Sequence, residues 1–329
     1  MGADVLSCTF LTALAHSPGV EVALVVSQPD KKRGRKHEIS PGPVKELALM
    51  HGMKILTPPV INAPEFVGEL AGIAPDIIVV MAYGQFLGKT ILNMPRLGCV
   101  NLHMSLLPKY RGAAPIQYAL KNGDEETGIT AMMMAPKMDA GDILGATRIK
   151  IESDDTAASL GLKLACRGSD LMLDVIRKLD DGVCPRVPQD ESLVTFAHKI
   201  DETSPFAASD THITPAIDWS RPAEEIERLI RALNPKPGCH TYLPGKDSKN
   251  PYMPGLRLKI LAAETIKNSA QTPPGTVLSM RDGPEIATGA GVLLLKKVRV
   301  EGKSDIDGKS FSNGYATKLA VGDTMLSGL

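Results

Sequence analysis

The sequence predicts an α/β protein in which a doubly wound, mostly parallel sheet precedes a smaller β-rich domain. Two apolar runs, residues 76–82 and 99–103, have the length and β-branched composition of strands buried on both faces. Strands alternate with helical segments in the first half of the chain, which is typical of right-handed βαβ units. After about Pro185 the predicted strands are short and separated by Gly and Pro, which favours a small barrel or sandwich.

The first half of the chain supports the alternation element by element. Asp4 is a suitable N-cap and Gly19 a suitable stop for a helix over residues 4–15. A long amphipathic helix is expected over residues 155–179, because its leucines repeat at helical spacing. The other expected elements are, in order, a strand over 20–26, a helix over 40–52, and strands over 54–56, 128–134 and 143–151.

No strand precedes the first predicted helix. A doubly wound domain normally begins with a strand that leads into its first turn, whereas here a helix begins three residues into the chain. We therefore expect Met1 to be the last residue of that strand and the true start codon to lie upstream. An in-frame stop codon directly before Met1 would contradict this expectation.

The second half of the chain predicts a linker and a second domain. The segment between Pro185 and Thr214 mixes Pro, Ser, Thr, Asp and His without sustained periodicity, apart from a short strand-like piece over 193–196. We therefore expect a first domain over 1–188, a linker over 189–213 and a second domain over 214–329. Its expected elements are a helix over 222–233 and strands over 239–243, 256–264, 275–280, 285–288 and 292–300.

Composition excludes several functional classes. The formal net charge of zero argues against indiscriminate polyanion binding, so a nucleic-acid partner requires a local basic patch. The five scattered cysteines favour reduced thiols and a cytoplasmic location. No apolar run is long enough to span a membrane, and no membrane partner is expected. Neither a metal-ligand spacing nor a Gly-rich phosphate loop occurs.

Polar residues end the strand over 99–103, where open α/β sheets bind ligands. Asn101 and His103 lie two residues apart, so their side chains point to the same face. They are followed by a proline-rich loop and by Pro115, which suits the first position of a helix. A catalytic role and a structural role, in which loop backbone satisfies both side chains, are both open at this point.

Two acidic residues and one basic run complete the candidate groups. Asp139 and Asp142 flank Ala-Gly between two predicted strands, which is also ordinary turn chemistry, and spacing alone does not distinguish them. The run over residues 31–37 concentrates five positive charges and one histidine in the loop after the strand over 20–26. Such a run is usually a solvated loop, but at this edge of the sheet it would also suit an anion or RNA.

These segments together resemble the folate-dependent formyltransferases. The motifs that carry the resemblance are Asn101-Leu-His103, Ser105-Leu-Leu-Pro108, Tyr110-Arg-Gly112 and Asp139-Ala-Gly-Asp142. Within that family, the chain looks specifically like the methionyl-tRNA formyltransferases. The segments that point to this branch are Arg-Gly-Ala-Ala-Pro-Ile-Gln at 111–117, Gln-Pro-Asp at 28–30, Pro-Gly-Pro-Val-Lys at 41–45, Ile-Asp-Trp-Ser at 217–220 and Ile-Arg-Ala-Leu-Asn-Pro at 230–235.

The resemblance implies a Rossmann-like catalytic domain and a small OB-like C-terminal barrel that binds tRNA. It assigns the catalytic trio to Asn101, His103 and Asp139. It assigns the tetrahydrofolate contacts to Ser105, Leu106, Leu107, Pro108, Tyr83 and Gly84. It matches Arg35 to a residue that grips the acceptor end of the tRNA, together with the neighbouring Lys31, Lys32, Arg33 and Lys36.

The expected reaction is transfer of the formyl group of 10-formyltetrahydrofolate to the amino group of methionyl initiator tRNA, without a metal. Donors such as the Asn101 amide and a His103 N–H suit the developing oxyanion, and Asp139 suits the role of proton acceptor. We expect a cytoplasmic monomer that functions in translation initiation. Two alternatives are a formyltransferase acting on an amino-sugar nucleotide or ribonucleotide amine, and a folate- or RNA-binding protein without catalysis.

Overall fold

The computed structural model describes residues 1–33, 38–202, 212–244, 254–266 and 272–327. It divides into two compact units, and each unit gathers more than one stretch of chain. The first unit consists of Met1–Gly112, Glu126–Lys150 and Gly161–Phe196, and the second of Ala113–Glu125, Ile151–Leu160 and Ala197–Leu329.

The described residues form strands and helices in alternation, as expected for the first half of the chain. The strands are β1 (Val25–Val26), β2 (Lys31–Arg33), β3 (Glu38–Ser40), β4 (Ile55–Leu56), β5 (Ile78–Val80), β6 (Cys99–His103), β7 (Arg111–Gly112), β8 (Glu126–Met133), β9 (Ile143–Lys150), β10 (Phe196–Ala197), β11 (Cys239–Pro244), β12 (Pro254–Ile266), β13 (Val277–Ser279), β14 (Glu285–Ala287), β15 (Val292–Val300) and β16 (Asp305–Asp307). The helices are α1 (Val5–Ala15), α2 (Pro43–Met50), α3 (Pro64–Ile73), α4 (Lys89–Leu92), α5 (Pro115–Asn122), α6 (Ala157–Asp180), α7 (Ala223–Leu233) and α8 (Gly308–Tyr315).

The main sheet of the first unit is mixed rather than mostly parallel. Its strand order is β5-β6-β8-β9, in which β5 and β6 are parallel whereas β8 is antiparallel to both of its neighbours. The short connection between β8 and β9 accounts for the antiparallel direction of that pair, because a parallel pair needs a crossover of a dozen or more residues. A separate parallel pair, β1 and β4, completes the α/β part.

Met1 and Gly2 lie between β1 and the end of β5. The Gly2 N–H donates to the Val26 carbonyl at 3.0 Å, and the Met81 N–H donates to the Met1 carbonyl at 3.0 Å. The predicted strand over 20–26 is observed only as Val25–Val26. Residues 20–24 line a cavity of about 930 Å³ and pair with no strand among the described residues. They are therefore not part of a sheet, because a β-strand requires a hydrogen-bonded neighbour.

Helix α6 packs closely on the main sheet because it carries a glycine at the contact. A Cβ on Gly168 would lie 2.4 Å from Cδ1 of Ile129, a fully buried residue of β8. The helix begins and ends within two residues of the predicted range. Near the start of the chain, the Asp4 carboxylate accepts the Ser7 N–H at 2.9 Å, which confirms Asp4 as the N-cap of α1.

The second unit contains an antiparallel sheet with the strand order β11-β12-β15-β14-β13, and β16 pairs with β15. The last described segment bonds both edges of this sheet. The Leu326 N–H donates to the Tyr242 carbonyl of β11 at 3.0 Å, and the Met325 N–H donates to the Gly275 carbonyl beside β13 at 2.8 Å. The single tryptophan, Trp219, is buried and donates its indole N–H to the Thr241 hydroxyl at 3.1 Å.

Several elements differ from the sequence-based expectations. Helices α3, α4 and α8 and strands β2, β3, β7 and β16 were not expected; all of them except α3 are short or polar and carry little periodic signal. The basic run, which is typical of a solvated loop, instead begins in the hairpin of β2 and β3. No helix among the described residues is long and apolar enough to cross a membrane.

Candidate active site

The two polar residues of β6 lie at its carboxyl end, between two neighbouring strands. Asn101 is opposite Val80 of β5 and Met132 of β8, and His103 is opposite Thr130 of β8. Both side chains point to one face of the strand. The Asn101 amide is half-buried and has no hydrogen-bond partner within the described residues, so it is available to a ligand.

Hydrogen bonding fixes the orientation of the His103 ring. Nε2 lies 2.8 Å from the Tyr110 carbonyl, and because a carbonyl only accepts, Nε2 carries the proton in this contact. The other nitrogen, Nδ1, lies 3.5 Å from Oδ2 of Asp139. Nδ1 is therefore the ring nitrogen that remains for a substrate, and it carries a proton only when the imidazole is charged.

Asp139 is distinguished from Asp142 by its side chain. Its Oδ2 accepts the Gly112 N–H at 2.9 Å and faces His103, and the side chain is only 13 % exposed. Asp142 contributes to the turn through its backbone, because its carbonyl accepts the Met133 N–H at 2.9 Å. The geometry therefore brings the carboxylate of Asp139, but not that of Asp142, to His103.

The backbone at Asp139 is held in an uncommon conformation. Its φ is +52°, in the left-handed region, which typically costs a non-glycine residue about 1–2 kcal/mol. Two residues later the chain passes close to β8, since a Cβ on Gly141 would lie 1.8 Å from the Met133 carbonyl oxygen. This turn therefore depends on contacts from the rest of the unit to stay in place.

A side chain of β8 holds the turn over 105–108, which the sequence links to folate. The Thr130 hydroxyl accepts the Leu107 N–H at 3.1 Å and donates to the Ser105 carbonyl at 2.6 Å. The Ser105 hydroxyl donates to the Lys109 carbonyl at 2.5 Å. Ser105 and Leu107 are buried, whereas Leu106 and Pro108 are partly exposed. Thr130 was not singled out in the sequence, because its role depends on the register between β6 and β8.

The loop after β5 presents Gly84 rather than the tyrosine ring. Tyr83 is 1 % exposed within an apolar cluster, and burial raises the pKa of its hydroxyl to about 12. Gly84 is exposed with φ +78°, and a Cβ there would lie 2.5 Å from Nε2 of Gln28. That amide nitrogen donates to the Tyr83 carbonyl at 2.7 Å.

Gln28 also connects this loop to the basic hairpin. Its Oε1 accepts from the Lys31 ammonium at 2.5 Å, and Lys31 and Lys32 are exposed on β2. Arg33 ends β2. Arg35 and Lys36, which the sequence also assigns to tRNA binding, lie outside the described residues.

One further pair in the site was missed by the sequence-based analysis. Gln189 donates to the carbonyls of Asp139 and Gly141, and its own carbonyl oxygen accepts from the guanidinium of the fully buried Arg111. Gln189 was included in the expected linker, and a lone glutamine in a polar segment carries no recognisable signal.

The arrangement is suited to acyl transfer. An amide donor, an imidazole nitrogen and a carboxylate converge at the end of β6, and they can stabilise an oxyanion and remove a proton. Groups of three or more His, Cys, Asp or Glu side chains placed to hold a metal ion do not occur among the described residues.

Comparison with known proteins identifies relatives of both halves of the chain. Residues 5–176 match the formyl transferase family and residues 212–316 match the formyl transferase C-terminal domain. Methionyl-tRNA formyltransferase from Halothermothrix orenii is 38 % identical over 320 residues, covering 97 % of this chain and 96 % of that protein. The enzyme of the same name from Symbiobacterium thermophilum is 40 % identical over 324 residues, covering 98 % of this chain and 93 % of that protein.

A solved structure shares the fold at lower sequence identity. WlaRD, a sugar 3N-formyl transferase crystallised with dTDP and 5-N-formyl-THF, superposes with a TM-score of 0.61 at 16 % identity. The match covers 92 % of this chain and 97 % of that chain.

Proposed function

The chain belongs to the formyl transferase family, and we propose that it transfers the formyl group of 10-formyltetrahydrofolate to the α-amino group of methionyl initiator tRNA. Relatives named methionyl-tRNA formyltransferase, 38–41 % identical over most of their length, support this acceptor. The product, formylmethionyl-tRNA, is the species used in translation initiation. The observation that carries the proposal is the His103–Asp139 pair beside the unpartnered Asn101 amide at the end of β6.

We propose that Asn101, His103 and Asp139 are the catalytic residues. When the amine attacks the formyl carbon, the carbonyl oxygen becomes an oxyanion, which the Asn101 amide and a protonated Nδ1 of His103 would stabilise. Loss of one such donor typically lowers the rate by about 10²–10³. Asp139 accepts the proton that the amine loses, directly or through water. The C–N bond to the folate then breaks, and the folate nitrogen takes up a proton.

We propose that the turn over 105–108 and the exposed Gly84 contact the folate. The turn follows β6 directly, and its hydrogen bonds to the Thr130 hydroxyl fix its backbone. The partly exposed side chains of Leu106 and Pro108 are therefore preorganised for a ligand. The buried Tyr83 ring makes its backbone, rather than its side chain, the part suited to such a contact.

The acceptor tRNA requires a positive surface, and the chain offers one in each unit. In the first unit, Lys31 and Lys32 are exposed on β2, and Arg35, which lies outside the described residues, belongs to the same basic run of the sequence. In the second unit, register places Lys259 of β12 opposite Arg299 of β15, and Arg257 shares their face of the sheet. Burial, Arg299 and Arg257 lower the pKa of Lys259, as expected for clustered cations. We propose that both surfaces bind the phosphate backbone.

We also propose a barrel architecture for the second unit and a division of the chain into two domains. The hydrogen bonds from Met325 and Leu326 to both sheet edges favour an OB-like barrel for the second unit. We propose catalytic and tRNA-binding domains over 1–188 and 214–329, joined by a linker over 189–213. We also propose that the protein acts as a monomer in the cytoplasm, a compartment that suits its five free cysteines.

The experiment that tests this function is a formylation assay with purified protein, 10-formyltetrahydrofolate and charged initiator tRNA. We expect formylmethionyl-tRNA, and we expect the KM for tRNA to rise steeply with salt, because phosphate contacts release counterions. Transfer only to an amino-sugar nucleotide or ribonucleotide amine, with a flat salt response, would contradict the tRNA acceptor. Folate binding without transfer to any amine would contradict the enzymatic function altogether.

A further inference from the structure

Asp139 is held from two sides by groups that belong to one connected network. Its carboxylate accepts the Gly112 N–H at 2.9 Å, and its backbone carbonyl accepts from Nε2 of Gln189 at 2.8 Å. The same Nε2 donates to the Gly141 carbonyl at 2.8 Å, so one side-chain amide bridges the turn that contains the left-handed Asp139.

Arg111 determines how the Gln189 amide is oriented. Its Nε and Nη2 lie 3.0 Å and 2.7 Å from Oε1 of Gln189, and a guanidinium only donates. The amide oxygen must therefore face Arg111, which leaves the NH₂ group for the two carbonyls of the turn. Arg111 also directly precedes Gly112, so the network closes on itself from the Asp139 carboxylate to the Asp139 carbonyl.

The burial of Arg111 is unusual for a residue with no contact to a reacting group. Its side chain is 0 % exposed, and Nη1 has no partner within the described residues. Its anionic partner, Glu191, is 59 % exposed and also pairs with Lys137, so this ion pair adds little by itself. Two guanidinium nitrogens, Nε and Nη2, donate to the Gln189 amide oxygen, and this is the contact that orients Gln189.

We propose that Gln189, oriented by Arg111, is a positioning residue that keeps the Asp139 carboxylate opposite Nδ1 of His103. This inference rests on the proposed catalytic role of Asp139. Without the bridge, the turn relaxes from its left-handed conformation, and the carboxylate leaves the 3.5 Å contact with the imidazole. Gln189 acts only through Asp139 and does not touch the reacting atoms.

Gln189→Glu is the discriminating variant, because it preserves shape and an oxygen for Arg111 but removes the donor to the two carbonyls. We expect kcat to fall roughly 10–100-fold with the KM values for folate and tRNA within twofold of the parent values, as for a lost transition-state contact. The matched control is Glu191→Gln, which removes the exposed partner of Arg111 and should leave kcat unchanged. If Gln189→Glu lowers the thermal midpoint strongly, Gln189→Met removes the donor without adding charge and serves in its place.

The double variant Asp139→Asn/Gln189→Glu tests whether the two residues act together. If Gln189 works through Asp139, the double variant is no slower than Asp139→Asn alone, because neighbours in one network are not additive. A parent-like kcat for both Gln189 variants, or a further full loss in the double variant, would overturn the positioning role. An active Asp139→Asn would instead contradict the proposed catalytic role, so the two failures are distinguishable.

Discussion

Replacing Asp139 by asparagine removes one charge and little else. The atom next to His103, Oδ2, is also the acceptor for the Gly112 N–H at 2.9 Å, and an asparagine carbonyl oxygen can keep that bond. What is lost is the interaction between a charged imidazole and a carboxylate 3.5 Å away. At an effective dielectric constant of about 20, that interaction amounts to roughly 5 kcal/mol. Because the amide dipole replaces part of it, we expect kcat to fall by roughly 10²–10³.

The assay is single-turnover formylation of methionyl-tRNA with saturating folate donor. Folate binding, measured by fluorescence or calorimetry, should stay within threefold of the parent protein, because Asp139 does not touch the turn over 105–108. The matched control is Asp142→Asn, since the structural role of Asp142 is carried by its backbone carbonyl, and this variant should keep near-parent turnover. A kcat for Asp139→Asn within threefold of the parent would show that Asp139 is only a turn residue.

Three further outcomes follow from the described contacts. Thr130→Val leaves the Leu107 N–H and the Ser105 carbonyl unpaired, which costs roughly 1–3 kcal/mol for each buried group. The KM for folate should therefore rise at least tenfold. Thr130→Ser keeps the hydroxyl and should keep the KM at the parent value. A Cβ at residue 141 would lie 1.8 Å from the Met133 carbonyl, so Gly141→Ala should displace the Asp139 turn and lower kcat without unfolding the second unit, as monitored by Trp219 fluorescence. Burial and, to a lesser extent, Arg257 lower the pKa of His240 to about 4. As the pH falls, the histidine of the unfolded chain is therefore protonated before that of the folded protein. The free energy of unfolding should consequently decrease by up to about 3 kcal/mol between pH 6.5 and pH 4. His240→Gln keeps an acceptor for Arg257 and should flatten this slope in urea titrations followed by Trp219 fluorescence; an unchanged slope would contradict the assignment.

The sequence predicted elements best where a buried apolar run determined them alone. Strands β6 and β15 have the expected bounds, because 99–103 and 292–300 are flanked by clear turn residues. The strand over 20–26 shortened to two residues, since its extent depends on a hydrogen-bonded neighbour and not on its own composition. The antiparallel direction of β8 was not predicted either, because the strand pattern does not encode the direction of the partner.

The same distinction applies to the roles of side chains: the local sequence placed some of them, whereas others depend on distant segments of the chain. Asn101 and His103 could be placed on one face of one strand from spacing alone, and the structure keeps them there. Asp139 and Asp142 were equivalent by spacing and are separated only by where each side chain points. Thr130 and Gln189 carried no local signal, because each acts on backbone groups of a distant segment.

The burial of Arg111 is better explained by its role in orienting Gln189 than by a contribution to the stability of the fold. Moving a guanidinium out of water is costly, and buried ion pairs are often no more stable than apolar side chains of similar size. Its anionic partner is largely exposed, which weakens the compensation further. An apolar residue at this site would therefore be tolerated by the fold, but it could not orient the Gln189 amide toward the Asp139 turn. The cost of burying the charge is consistent with a requirement to hold one carboxylate opposite one imidazole nitrogen.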